Sequence, residues 1–256
     1  MSGRKVPFVS DYLSSRIRDG VTKFASQAGF VDLDEPMREI LDKVKPYTLT
    51  SGDRVASLCT SVDYIVEHDI PGAFVECGLW RGGSLMAVLL RLRHLGITDR
   101  DVYGFDTFEG QPDPTPEDVD FGGRAEAGNN TLGARIVDKL THFDEVSRDE
   151  VFAVLASTGY PTDRIHLVQG LVEDTIPESA PDRIAMLRLD TDYYDSTRHE
   201  LEHLYPRIPI GGVLIIDDYG HFKGSRKAVD EYLVGHPILL QRVDYSCRLA
   251  IKQQER

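Results

Sequence analysis

The chain has 256 residues, 41% of them hydrophobic and 28% charged, a composition that suits one folded domain with a sizeable core. A formal net charge of −13 argues against a nucleic-acid backbone or an anionic membrane surface as partner. Three widely spaced cysteines, Cys59, Cys77 and Cys247, suggest neither disulfides nor zinc; without a signal-peptide core or a membrane-length apolar run, a cytoplasmic protein is expected.

From about Asp11 to Val44 the apolar residues fall at helical spacing, first Leu13, Ile17, Val21 and Phe24, then Met37, Ile40, Leu41 and Val44. Pro46 ends that pattern, Tyr47 to Gly52 reads as a loop, and Val55, Leu58 and Val62 mark one side of a further helix. Residues 1–70 are therefore expected to form a helical cap over one edge of a sheet. The alternating region, 71–256, starts with a strand at residues 73–77, an apolar helix from Ser84 to Leu95 and a strand at residues 102–106. Residues 111–133 are rich in Pro, Gly and acidic side chains, and a loop this long predicts a lid or substrate loop, with a disordered insertion as the plain alternative. Strands follow at residues 165–168, 184–189 and 213–216, and residues 238–243 and 248–251 read as a hairpin closing one sheet edge. Cap and alternating region together make a single α/β domain.

Two of these strands end in carboxylates. Leu189 is followed by Asp190-Thr191-Asp192, and Ile216 by Asp217-Asp218-Tyr219. Ligands of an open parallel sheet collect beyond the carboxyl ends of its strands. Four carboxylates converging there repel one another unless a cation or bound protons compensate. All-oxygen ligation suits Mg²⁺ before Ca²⁺ or Mn²⁺. Helix N-capping explains either pair taken alone; two pairs on successive strand ends favour the metal. Arg188, inside a buried strand, calls for a carboxylate partner. His221 stands close behind Asp217-Asp218-Tyr219, within reach of an acceptor, whereas His142, His166 and His199 are scattered. Tyr193, Tyr194 and Tyr219 flank the aspartates and suit packing or hydrogen bonding there.

Between the first strand and its helix stands Glu76-Cys77-Gly78-Leu79-Trp80-Arg81-Gly82-Gly83-Ser84. It is not the dinucleotide fingerprint, because Glu76 occupies the first glycine position, and the P-loop lysine is absent. An acidic residue there suits a cationic or hydrogen-bond-donating ligand better than a pyrophosphate. Asp106 ends the next strand, where a carboxylate can accept both hydroxyls of a ribose. A ribose joined to a cationic, amino-acid-like end, without phosphate, describes S-adenosyl-L-methionine.

Tyr47-Thr48-Leu49, the stretch from Glu76 to Gly83, Asp106-Thr107-Phe108-Glu109-Gly110, Leu187 to Thr197 and Ile215 to Tyr219 together resemble one family. It is that of the macrocin-type, metal-dependent O-methyltransferases, which modify sugars on macrolides and related natural products. The resemblance runs from about Tyr47 to Tyr232. It implies a Rossmann-like, S-adenosylmethionine-dependent methyltransferase fold, with a mostly parallel seven-stranded sheet, an antiparallel edge hairpin and extra N-terminal helices. It places Thr48 and Leu49 at the methionine end of the cofactor, and Glu76, Gly78 and the turn Arg81-Gly82-Gly83-Ser84 around its amino acid and sulfonium. Asp106, with Thr107 and Phe108, would face the ribose, and Gly170 and Asp174 the adenine. Asp190, Asp217 and Asp218 look like Mg²⁺ ligands and Asp192 like the general base, with Asp190 as the alternative base. The resemblance further implies a homo-oligomer and a small glycosylated acceptor from antibiotic biosynthesis. The first forty residues and the lid match least, and are expected to set acceptor choice and assembly. Other readings stay open: a phenol or catechol acceptor, a non-catalytic α/β protein, or a glycosyltransferase using the D-x-D at Asp190 and Asp192. The last would leave Glu76, the glycine loop and Asp106 without a purpose.

Overall fold

The computed structural model describes residues 30, 32–123 and 146–254. The expected helix positions Leu13, Ile17, Val21 and Phe24, the lid residues 124–133 and His142 lie outside the described residues. The strands β1 (Ala73–Cys77), β2 (Val102–Asp106), β3 (Ile165–Gln169), β4 (Ile184–Leu189) and β5 (Val213–Ile216) pair in parallel. A hairpin of β6 (Gln241–Arg242) and β7 (Arg248–Ile251) adds antiparallel to β5, and the seven-stranded order is β3-β2-β1-β4-β5-β7-β6. The mostly parallel sheet with an antiparallel edge is the one expected. Within the hairpin, β6 is shorter than the run from Ile238 to Val243, because Ile238 and Leu240 pack against the apolar core instead of extending the ladder.

Alternate strand residues enter two separate apolar layers. Phe74, Met186, Val213 and Ile215 pack on one side; Val75, Leu187, Leu214 and Ile216 pack on the other. This is the period-two burial of a sheet covered on both faces. The first face is covered by α1 (Glu35–Val44), α2 (Gly52–Glu67), α3 (Gly83–His94) and α4 (Arg148–Ala156), which contribute Ile40, Val62, Leu89 and Leu155 among others. Past the short α5 (Val172–Thr175), the second face is covered by α6 (Tyr194–Leu204) and α7 (Lys223–Leu233) through Leu201, Leu204 and Val229.

Local sequence explains where these helices begin. Asp34 caps α1 by accepting from Met37 N at 2.7 Å, and Ser51 caps α2 by accepting from Arg54 N at 3.3 Å. Ser147 and Glu150 form a reciprocal capping box on α4. Pro46 sits in the first turn of a 3₁₀ segment (Lys45–Tyr47), where its missing N–H costs nothing. Arg91 of α3, buried, pairs with Asp63 of α2 at 2.5 Å and with the capping Asp34 at 3.1 Å. Residues 34–67 are thereby tied to the same core as the sheet.

The chain runs from β1 outward to β3, then crosses back and continues outward through β4 and β5. The reversal lies between β1 and β4, the place where ligands enter an open α/β sheet. Residues 111–123 dock over this edge. Buried Asp118 accepts from Thr115 N and Tyr194 N, each at 2.8 Å; Lys223 N donates to Val119 O at 2.9 Å, and Asp120 bridges to Phe222.

Leu187 is fully buried at the centre of the sheet. Leu187→Ala should cost about 2–5 kcal/mol of unfolding free energy, from lost transfer energy and the cavity left behind. Urea denaturation followed by circular dichroism gives the value; a loss under 1 kcal/mol would contradict the packing described.

Candidate active site

The carboxyl ends of β1 and β4 meet directly. Gly78 has a left-handed φ of +80°, and any side chain there would collide with the Asp190 carbonyl, while Asp190 N donates to Cys77 O at 2.9 Å. Gly82 starts α3 in a left-handed conformation, and Ser84 is buried in its first turn. Thr48 packs against Gly83, its Cβ 2.7 Å from where a side chain would begin. The Thr48 loop and the glycine loop are therefore brought together. Leu49 instead points outward and is 66% exposed. The Arg81 guanidinium lies over the Trp80 ring at 4.9 Å.

Asp106 organises two loops at once. Its Oδ2 accepts from Leu79 N at 2.6 Å and Trp80 N at 3.2 Å, and its Oδ1 from Phe108 N at 2.7 Å. Three of the carboxylate's roughly four acceptor positions are thus filled, and Oδ1 keeps one lone pair for a ligand. Thr107 Oγ1 closes the following turn on Gly110 O at 2.6 Å, and Phe108 is buried. Gly170 N donates to Asp106 O at 3.0 Å, which joins the end of β3 to this edge, whereas Asp174 lies exposed on α5. Trp80, Phe108 and Asp192 all have positive φ, and backbone strain of this kind collects at functional sites.

Arg188 of β4 reaches into the centre of the edge. It donates to Glu76, to Asp190 Oδ2 at 2.7 Å, to Asp217 Oδ1 at 2.7 Å and to Thr50 Oγ1 at 3.1 Å. Its side chain is 3% exposed, so the partner expected for a charged residue in a buried strand is present several times over. Arg54 of α2 pairs with the other oxygen of Asp217, and its Nε with Asp244 Oδ2 at 2.7 Å.

Glu76, Asp190, Asp217 and Asp244 pair with these two guanidinium groups, and Asp192 and Asp218 lie beside Asp190. Burial pushes the Asp190 carboxyl well above the usual range, with Asp217 and Asp218 adding to the rise and Arg188 opposing it. Burial also raises Asp218, followed by the charges of Asp192 and Asp217. Ligand atoms of Asp190, Asp192 and Asp218 lie within 4.8 Å of one another, and Asp218 Oδ2 is buried with no hydrogen-bond partner among the described residues. A hard divalent cation fits that donor set. This grouping differs from the one expected from sequence, which combined Asp190 and Asp218 with Asp217. The physical reason is that Arg188 and Arg54 draw both oxygens of Asp217 toward themselves.

Sequence reasoning missed Arg54 and Asp244, whose pairing spans 190 residues and leaves no local pattern. It also missed Glu200, fully buried under the Asp190-Asp192 turn, where it accepts from Thr191 Oγ1 at 3.0 Å. Tyr194 and Tyr219 donate to Glu231 and Asp230 on α7, each at 2.7 Å, and Tyr193 faces Gln111 at 3.4 Å. His166 pairs with Asp101 and His199 with Ile176 O.

A switch point lined by a glycine loop, a strand-end aspartate and a carboxylate cluster defines a Rossmann-like, S-adenosylmethionine-dependent O-methyltransferase. Residues 34–249 match the Macrocin-O-methyltransferase (TylF) family, and the chain belongs to it. It is 34% identical over 188 residues to the 8-demethyl-8-(2,3-dimethoxy-alpha-L-rhamnosyl)-tetracenomycin-C 4'-O-methyltransferase of Streptomyces olivaceus, spanning 73% of this chain and 67% of that protein. It is 31% identical over 218 residues to the Mycinamicin III 3''-O-methyltransferase of Micromonospora griseorubida, spanning 85% and 82%. The solved structure of the O-methyltransferase NovP superposes with a TM-score of 0.69 at 27% identity, over 81% of this chain and 83% of that one.

Removing the central cation should be costly. Arg188→Met leaves Glu76 as a buried carboxylate without its partner, and a loss of about 3–5 kcal/mol is expected in urea denaturation. A variant as stable as the parent would refute the central place given to Arg188.

Stability should also depend on pH through Glu76. Burial pushes its carboxyl from 4.5 up to about 7, against the opposing charge of Arg188. A carboxyl raised on folding binds more protons in the folded state, so its contribution is full below about 4.5 and is lost as pH rises through about 7. Between these values the urea midpoint of the parent should fall more steeply with pH than that of Glu76→Gln. Parallel slopes would show that Glu76 does not titrate in this window.

Proposed function

We propose that the chain works in the cytoplasm and methylates a sugar hydroxyl of a glycosylated natural product, with Mg²⁺ held by Asp190, Asp217 and Asp218. The observation that carries this reading is the Asp190-Asp192-Asp218 cluster, set beside the glycine loop at the switch point of the sheet. The sugar acceptor is supported by the Streptomyces olivaceus relative, whose name specifies 4'-O-methylation of a rhamnosyl compound. Among the described residues no helix is long and apolar enough to cross a membrane, and the three cysteines are free and buried, which suits a reducing compartment. Asp217 joins the ligand set through lone pairs that its arginines leave, since an ionised carboxylate offers about four acceptor positions.

S-adenosylmethionine brings a methyl group already activated by its sulfonium. The chain must therefore hold an acceptor oxygen in line and remove its proton. A divalent cation in the cluster would stabilise negative charge on an oxygen losing its proton. Asp192, half-buried and held by a hydrogen bond from Gln111, takes that proton. Glu76 offers its carboxylate to the cationic end of the cofactor, and the Thr48–Gly83 contact forms the adjoining wall. Asp106 meets the ribose with the Oδ1 lone pair that its three backbone donors leave free. Thr107 and Phe108 shape that pocket, and Gly170 and Asp174 border the adenine. The apolar positions Leu13, Ile17, Val21 and Phe24 support assembly into a homo-oligomer through the N-terminal segment.

Labelled S-adenosylmethionine and a set of glycosylated natural products, with and without EDTA, test the reading. Chelation should abolish transfer, Mg²⁺ should restore it, and binding of S-adenosylhomocysteine should survive. Asp192→Asn should lower the rate by about 10²–10⁴-fold at saturating Mg²⁺. Asp217→Asn should raise the Mg²⁺ requirement. Undiminished turnover in EDTA would remove the metal from the reaction. A silent Asp192→Asn beside a dead Asp190→Asn would move the base to Asp190.

A further inference from the structure

Three aromatic rings from three separate segments gather at the mouth of the acidic cluster. Phe121 comes from the docked loop 111–123, His221 from the β5–α7 connection and Tyr245 from the β6–β7 turn. His221 stands between the other two, 5.6 Å from Phe121 at 62° and 5.9 Å from Tyr245 at 83°, with Phe222 behind it at 4.6 Å and 89°. All are edge-to-face arrangements, the geometry that aromatic quadrupoles favour. Yet Phe121 is 65% exposed and Tyr245 55% exposed, so the outer ring surfaces face water.

The gathering is held in place by bonds that also hold the catalytic edge. His221 N donates to Asp218 O at 2.9 Å, and Gly220 N to Ser246 O at 2.8 Å, which joins the two loops that carry His221 and Tyr245. Phe222 meets Tyr193, the residue after Asp192, edge-on at 6.4 Å. The Arg54 guanidinium lies over the Tyr245 ring at 5.6 Å while it pairs with Asp217. The rings are therefore continuous with the carboxylates and not an isolated surface patch.

Their chemistry selects among the parts of an acceptor. Phe121 has no hydrogen-bonding group, and the Tyr245 hydroxyl is turned to His221 Nδ1 at 3.4 Å. A sugar ring brings several hydroxyls, each needing a partner once water is displaced. A flat aromatic ring needs only exposed π surface. We propose that Phe121, His221 and Tyr245 form a stacking subsite for a planar aromatic ring of the acceptor, adjoining the sugar that the acidic cluster receives. This rests on the sugar-hydroxyl reading given above, and it adds the class of group to which the sugar is attached.

The probe is 4-nitrophenyl α-L-rhamnopyranoside, with methyl α-L-rhamnopyranoside as its ring-free counterpart, added to the full chain with Mg²⁺ and S-adenosylhomocysteine. Saturation-transfer NMR reads aryl and sugar protons separately, and titration gives each Kd. Strong saturation of the aryl protons is expected. Phe121→Ala and Tyr245→Ala should each weaken binding of the aryl glycoside by about 2–12-fold, the range one aromatic pair spans. Tyr245→Phe, which keeps the ring, should restore the parent value. Calorimetry with S-adenosylhomocysteine confirms that each variant is folded. Saturated sugar protons with silent aryl protons would overturn the subsite and leave the sugar reading standing. Equal weakening of both glycosides by Phe121→Ala would overturn it too. So would the absence of saturation on either glycoside, in which case the labelled methyl-transfer assay judges the sugar reading separately.

Discussion

The buried guanidinium of Arg188 is the interaction on which the rest of the edge depends. A cation placed inside a central strand is tolerable only if carboxylates surround it, and Glu76, Asp190 and Asp217 do so from the ends of three adjacent strands. The same carboxylates stand at the strand ends where the acidic cluster lies. Charge compensation and site construction are one arrangement. Because the carboxylates outnumber the guanidinium groups, the edge retains negative charge after Arg188 and Arg54 are counted. Burial first, and the neighbouring carboxylates after it, raise the Asp190 and Asp218 carboxyls and give them an affinity for protons, for which a divalent cation can substitute.

Loops from distant parts of the chain converge on this edge through single hydrogen bonds placed with economy. Asp106 collects the glycine loop and the turn after β2, and Asp118 fastens the loop 111–123 to the start of α6. Arg54 links α2 to β5 and to the β6–β7 turn. Each of these carboxylate or guanidinium groups satisfies backbone or side-chain partners from two elements, so displacement of one loop disturbs its neighbour. Glycine loop, acidic cluster and the Phe121, His221 and Tyr245 rings are thus mechanically continuous.

Much of this was legible in the residues. The strands at 73–77, 102–106, 184–189 and 213–216 follow from short apolar runs bounded by polar clusters, because a strand buried on both faces has no polar alternation to hide it. The aspartates closing β4 and β5 announced the position of the site, since strand order decides only which ends are neighbours, and these two are. Family membership followed from the motifs together, and residues 34–249 bear it out. The need of Arg188 for a carboxylate was equally plain from its place in an apolar run.

The partners within the site were decided only by the tertiary structure. Spacing gave four aspartates but not their directions; packing turned Asp217 toward Arg188 and Arg54 and left Asp192 beside Asp190 and Asp218. Arg54, Asp244 and Glu200 were invisible in the chain because their contacts join helices and turns far apart in sequence. The aromatic mouth likewise exists only where three loops meet. Local pattern determines which residues are buried and at which strand end they emerge, since both depend on near-neighbour periodicity. Side-chain pairing across the edge depends on distances between elements, and only the folded sheet sets those.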